Sequence, residues 1–156
     1  MLQGNLRVMK KSIFVTLMVS LIVVIDQATK YLISTSMSAS DSIEILPFLH
    51  IINIRNTGAA FGMFRDFSSS FFIIISFAAI IFVLNLIVRN VYSLTGLSMI
   101  LGGAIGNLID RLINGKVVDF IDISIGSFHW PAFNVADSAL TVGIGIIIIK
   151  SIFKKT

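Results

Sequence analysis

The residues able to do chemistry in this chain are few, and they are grouped. Of its eight acidic residues, Asp26, Asp110, Asp119, Asp122 and Asp137 lie in or beside long apolar runs. A charge in the middle of such a run costs roughly 2.5–3.5 kcal/mol on insertion scales, so each needs a partner, a watery cavity or a function. Asp26 and Lys30 are four residues apart, share a helix face and can pair. Gly103, Asn107, Asp110, Arg111 and Asn114 recur at helical steps and form one stripe. Hydrogen bonding between helices accounts for part of such a stripe, but an Arg, an Asp and an Asn on one face suggest a site. Asn134, Asp137, Ser138 and Thr141 make another polar face, although Asp137 also suits a helix N-cap.

Carboxylates brought together point to acid–base chemistry. Two carboxyl groups in one site cannot both ionise easily, so the pair holds one proton near neutrality. One member then takes a proton while the other gives one. Asp119 and Asp122 compete for such a role. If 117–123 is extended, their side chains point to opposite faces, and only one faces a shared site easily. Other chemistries are poorly supplied. The absence of cysteine removes thiol nucleophiles, thiolate metal sites and disulfides. The only imidazoles are His50 and His129, with no HExxH pattern for a zinc protease. There is no GxSxG arrangement for a serine nucleophile.

The elements that must position these residues are membrane spans. The chain of 156 residues is 56% hydrophobic and 13% charged, roughly half the usual charged fraction of a soluble domain. Four apolar segments, at about 12–33, 71–88, 94–113 and 133–153, each approach the ~20 residues that cross a bilayer. We read them as one integral membrane domain over residues 1–156. Asp26 and Lys30 argue against the first segment being a cleaved signal peptide. Arg7, Lys10 and Lys11, then Arg89, then Lys150, Lys154 and Lys155 fall on one side of four crossings. The positive-inside rule makes that side the cytoplasm and puts 34–70 and 114–132 outside. The net charge of +4 is thus explained by topology, and no nucleic acid is expected. Residues 52–55 and 117–121 are β-prone and suit two short paired strands. Residues 59–67 suit a short interfacial helix, a candidate lid. Phe128, Trp130 and Pro131 suit the outer headgroup region. Gly102 and Gly106 form a small-xxx-small pair that lets another helix approach closely.

At these residues the chain resembles the lipoprotein signal peptidase (signal peptidase II) family of bacterial membrane aspartic proteases. DQATK at 26–30, NTGAAF at 56–61, GGAIGNLIDR at 102–111, VVDFID at 117–122 and FNVADS at 133–138 are similar to its motifs, in order. The resemblance implies four membrane helices, a small extracytoplasmic β-cradle and a short interfacial helix. It implies that Asp119 and Asp137 are the catalytic pair. Asn56, Gly58, Asn107, Arg111 and Asn134 would line the site and hold substrate backbone, with Asp26, Lys30 and Asp110 in support. The implied reaction removes the signal peptide of a diacylglyceryl-modified prolipoprotein before its lipidated cysteine, with no metal or cofactor. The implied setting is the cytoplasmic (inner) membrane, with cytoplasmic termini and a site near the outer leaflet. The expected partners are that prolipoprotein and membrane lipid, and the expected state is a monomer. A transporter or a non-catalytic assembly factor are the competing readings. Against transport, the acids cluster at one surface rather than forming a path across the membrane.

Overall fold

A computed structural model describes residues 2–58, 69–126 and 128–153. Four helices are long and apolar enough to cross a membrane: α1 (Leu2–Ser36), α2 (Ser69–Arg89), α3 (Leu94–Asn114) and α4 (Val135–Phe153). The strands are β1 (Ser42–Leu46), β2 (Leu49–Asn56), β3 (Val117–Ile125) and β4 (Phe128–His129). They form one antiparallel sheet in the order β1-β2-β3-β4. The helix boundaries match the expected spans within two or three residues, apart from α1. That helix continues to Leu2 instead of starting near Ser12. At 1.5 Å per residue its 35 residues reach about 52 Å, well beyond a hydrocarbon core of ~30 Å. No proline precedes Ser12 to stop it, and Gly4 lies in the first turn, where its helix-weakening effect is small. The candidate lid at 59–67 lies outside the described residues.

Helix α3 is the centre of the bundle and packs against each of the other three. Leu97 and Leu101 of α3 form an apolar core with Val83 and Ile87 of α2. The outward faces of α1, α2 and α4 are lined with exposed Ile, Leu, Val and Phe, as lipid-facing surfaces require. Gly102 and Gly106 do admit a neighbour, since they face Ile22 and Asp26 of α1. Gly103 admits α4 more closely still. A Cβ there would lie 2.4 Å from the Ala136 carbonyl oxygen, so no side chain fits without moving that helix.

The sheet sits where α1 and α3 end and α2 and α4 begin. At the opposite end, Lys11 donates to the Ile87 carbonyl and to Asn90 Oδ1, and Lys150 donates to Ser93 Oγ at 3.2 Å. Lys11, Arg89 and Lys150 therefore share the end away from the sheet, as the charge pattern predicts. The sheet is larger than the two strands expected. β1 joins β2 through the two-residue turn Pro47-Phe48, and β4 adds a short fourth strand. The expectation that Asp119 and Asp122 point to opposite faces fails. Both line one groove of about 750 Å³. The reason is a bulge in β3, where the successive amides of Phe120 and Ile121 both donate to the Phe133 carbonyl, at 3.0 and 2.9 Å. An extra residue in a strand resets its alternation, and the residues on either side of this pair return to the same face.

Candidate active site

The site is assembled from the start of α4, the sheet-proximal end of α3 and the middle of the sheet. Asn134 caps α4, and its Oδ1 accepts the Asp137 amide at 2.9 Å. Asp137 Oδ2 in turn accepts the Asn134 amide at 3.3 Å. This is a reciprocal capping box with Asn and Asp in the two roles. It fixes the Asp137 carboxylate against the first turn and leaves Oδ1 to accept from Asn107 Nδ2 at 2.8 Å. Ser138 and Thr141, on the same helix face, bond their own helix carbonyls instead and take no part.

Asp119 is held from both sides by amides. Asn56 Nδ2 donates to Oδ2 at 2.9 Å and Asn134 Nδ2 to Oδ1 at 2.7 Å. Asn56 is itself oriented, because its Oδ1 accepts the Gly58 amide at 2.9 Å. Asn134 thus touches both acids, and Asp119 and Asp137 line the same small cavity of about 70 Å³. Arg111 lines it too, with its guanidinium 5.4 Å from the centroid of the Phe72 ring. Burial pushes the Asp119 carboxyl up to about 6; the Asn56 hydrogen bond opposes the rise and the Asp137 charge adds to it. The larger groove shares Asn56, Asp119 and Ala132 with this cavity. Among the described residues no cluster of His, Asp and Glu is spaced to hold a metal ion.

Behind the pair lies a second polar group. Lys30 Nζ meets Asp26 Oδ2 at 2.8 Å, Asp110 Oδ2 at 2.9 Å and Asn107 Oδ1 at 3.0 Å. That is three acceptors for the three protons of an ammonium. Asp26 Oδ1 accepts the Ala136 amide at 2.9 Å, satisfying a free N–H in the first turn of α4. Asp110 Oδ2 accepts the Val118 amide at 3.2 Å and so ties β3 to α3. The stripe on α3 therefore divides: Asn107 and Arg111 reach the cavity, Asp110 turns to α1, and Asn114 lines a separate polar pocket with Gln27, Ser34 and Arg55.

With this geometry in view, the comparisons agree. The family model described as "Signal peptidase (SPase) II" matches residues 18–153. The chain belongs to the signal peptidase II family. It is 46% identical over 134 residues to the lipoprotein signal peptidase of Thermodesulfovibrio yellowstonii, covering 86% of this chain and 91% of that one. It is 45% identical over 150 residues to that of Staphylococcus haemolyticus, covering 90% and 94%. A bacterial membrane enzyme solved by the in meso method at 2.3 Å resolution superposes with a TM-score of 0.83 at 38% identity, covering 92% of this chain and 90% of that one. Two residues of this signal peptidase II chain escaped the sequence reading. Gln27 Nε2 bridges Asp26 Oδ2, the Gly106 carbonyl and Asp110 Oδ1, each at 3.1 Å. It sits inside the first motif, next to Asp26, and its polarity within an apolar run is the signal that marks it. His129 contacts Asp122 and lines the groove; the sequence marks it only as one of two imidazoles, beside the interfacial Phe128, Trp130 and Pro131.

Proposed function

We propose that this chain is the aspartic endopeptidase that removes the signal peptide from diacylglyceryl-modified prolipoproteins, cutting before the lipidated cysteine, with Asp119 and Asp137 as its catalytic pair. The observation that carries the pair is Asn134, which bonds both carboxylates at the edge of one cavity. The two acids share one proton near neutrality. The ionised member takes a proton from water, whose oxygen attacks the scissile carbonyl. The protonated member donates to the carbonyl oxygen, and the roles reverse as the amine leaves. Asn56, Asn107 and Asn134 keep the carboxylates oriented through both halves of the reaction. Arg111 and the free capacity of the Asn amides serve the backbone of the unwound substrate, whose polar groups otherwise lack partners in lipid.

The setting is a multi-pass protein of the bacterial inner membrane. Its basic end faces the cytoplasm by the positive-inside rule. The sheet, the groove and both acids then face outward, where a lipid-anchored cysteine lies in the outer leaflet. The chain acts as a single membrane domain and as a monomer, on a lipid-modified prolipoprotein and without nucleic acid. The test is a gel-shift assay in detergent with a diacylglyceryl-modified prolipoprotein beside its unmodified form. Cleavage of the modified form alone, at the bond before the cysteine, supports the reading. No cleavage of verified modified substrate by folded protein contradicts it.

A further inference from the structure

Asp122 is a carboxylate that the catalytic pair does not use, and the bulge in β3 turns it into the same groove as Asp119. It stands in a row that crosses the whole sheet. By register Glu44 of β1 lies opposite His50 of β2, and His50 lies opposite Asp122 of β3. Directly opposed residues share a face. His129 of β4 lies opposite Ser124, two residues along β3 from Asp122, and reaches Asp122 diagonally, with its Nδ1 3.2 Å from Oδ2 and 3.3 Å from Oδ1. His50 Nδ1 lies 4.0 Å from Asp122 Oδ2 and is buried without a hydrogen-bond partner. The order across the four strands is acid, imidazole, acid, imidazole.

β4 is two residues long, and beyond it the backbone is tied to β3 at Trp130, whose N–H donates to Ile123 O at 2.8 Å, and at Phe133, whose N–H donates to Ile121 O at 3.0 Å and whose carbonyl accepts the Phe120 and Ile121 amides. Residues 129–132 form one wall of the groove. The chain then runs directly into Asn134 and Asp137. A side-chain pin between Asp122 and His129 thus holds a wall that borders Asp119 and leads to the other acid.

We infer that Asp122 and His129 are positioning residues, which pin this wall over the substrate polypeptide more firmly when the imidazoles of the row are protonated. The inference rests on the peptidase reading. The imidazole is the side chain that changes charge between about pH 5 and 8. A charged imidazole beside a carboxylate makes a hydrogen bond roughly twice as strong as a neutral one. The other charged groups facing the row are Glu44, and Asp119 and Arg55 in the groove.

The test measures KM and kcat for a diacylglyceryl-modified prolipoprotein from pH 5.5 to 8.5. Parent protein is compared with Asp122→Ala, Asp122→Asn and the double variant His50→Gln/His129→Gln. In the parent, KM is expected to rise with pH by about three- to tenfold. Asp122→Ala should show the high KM throughout, with kcat changing much less. Asp122→Asn, which keeps an acceptor, should match the parent at pH 8.5 and fall behind it at pH 6. The double variant should lose the pH dependence of KM. The same set is examined at pH 6 by hydrogen exchange over residues 128–133, where Asp122→Ala should exchange several-fold faster. Unchanged KM and unchanged exchange in Asp122→Ala would overturn the inference. So would a fall in kcat at constant KM, which would make Asp122 part of the reaction. If the parent cleaves nothing, the peptidase reading fails, and the exchange result alone decides the pin.

Discussion

Two groups of buried carboxylates lie side by side in this molecule and are held in different ways. Asp26 and Asp110 grip an ammonium between them, with Lys30 Nζ at 2.8 and 2.9 Å. Asp26 Oδ1 takes the Ala136 amide and Asp110 Oδ1 the Gln27 amide, while Asp110 Oδ2 also accepts the Val118 backbone N–H. Among the described residues, no cation is in direct contact with Asp119 or Asp137. Their partners are the neutral amides of Asn56, Asn134 and Asn107, together with the Asn134 backbone N–H. The first arrangement fixes charge and joins α1 to α3 and α4. The second fixes geometry while leaving the proton free to move. Asn107 stands between them, accepting from Lys30 through Oδ1 and donating to Asp137 through Nδ2. If Asp119 and Asp137 are the catalytic pair we propose, what separates a structural acid from a working one here is the charge of the donor, not the depth of burial.

The largest break in this comparison is Lys30→Met. It leaves two buried carboxylates without their counter-charge, a loss of about 3–5 kcal/mol. The folded, monodisperse protein should largely disappear from detergent extracts, and recovery at parental yield would refute the fixed-charge role. Next comes Asp119→Asn, which should stabilise. The folded state holds the Asp119 proton more tightly than the unfolded chain does, since burial pushes that carboxyl up to about 6. The group is neutral in both states well below the ordinary carboxylate range, and no penalty exists there. As pH rises through about 6 the folded protein must carry a buried charge, at a cost of up to about 3 kcal/mol. Thermal unfolding should therefore favour Asp119→Asn at pH 8, with the advantage fading toward pH 4. An advantage that grows on acidification would contradict the assignment.

Gly103→Ala acts on both groups at once. It sets a methyl against the Ala136 carbonyl and pushes α4 away from Asn107 and Asp26, for about 1–3 kcal/mol. A lowered unfolding temperature with a reduced kcat is expected, and an unaltered kcat would show that the seat is not critical. The smallest effect is that of Asn56→Ala. The Asn56 hydrogen bond lowers the Asp119 pKa, so its loss should move the acidic limb of the kcat profile upward by about one pH unit. A downward movement would remove Asn56 from that role.

Much of this was legible in the sequence, for physical reasons. Apolar runs of bilayer length declare themselves, and a buried Asp or Lys in such a run demands a partner, so the spans and the Asp26–Lys30 pair could be read directly. Other features were not. The β3 bulge at Phe120–Ile121 carries no glycine or proline to mark it, so alternation separated Asp119 from Asp122 when the fold brings them together. Strand β1 does alternate, as Ile43-Glu44-Ile45 before Pro47, but its isoleucines look no different from those of a membrane flank. Asp137 offered two readings, cap and site. The capping box shows the cap, and in the proposed reaction the bond that starts the helix also orients the acid.

The most direct test of the central claim compares Asp119→Asn and Asp137→Asn with the parent in cleavage of a diacylglyceryl-modified prolipoprotein. Each variant would first be matched to the parent in yield and unfolding temperature, at a pH where it folds as well or better. Loss of cleavage by a factor of about 10³ or more in both is the predicted result, since each acid must serve as donor and acceptor in turn. Cleavage surviving near the parental rate in either folded variant would contradict the pair and remove that Asp from the reaction.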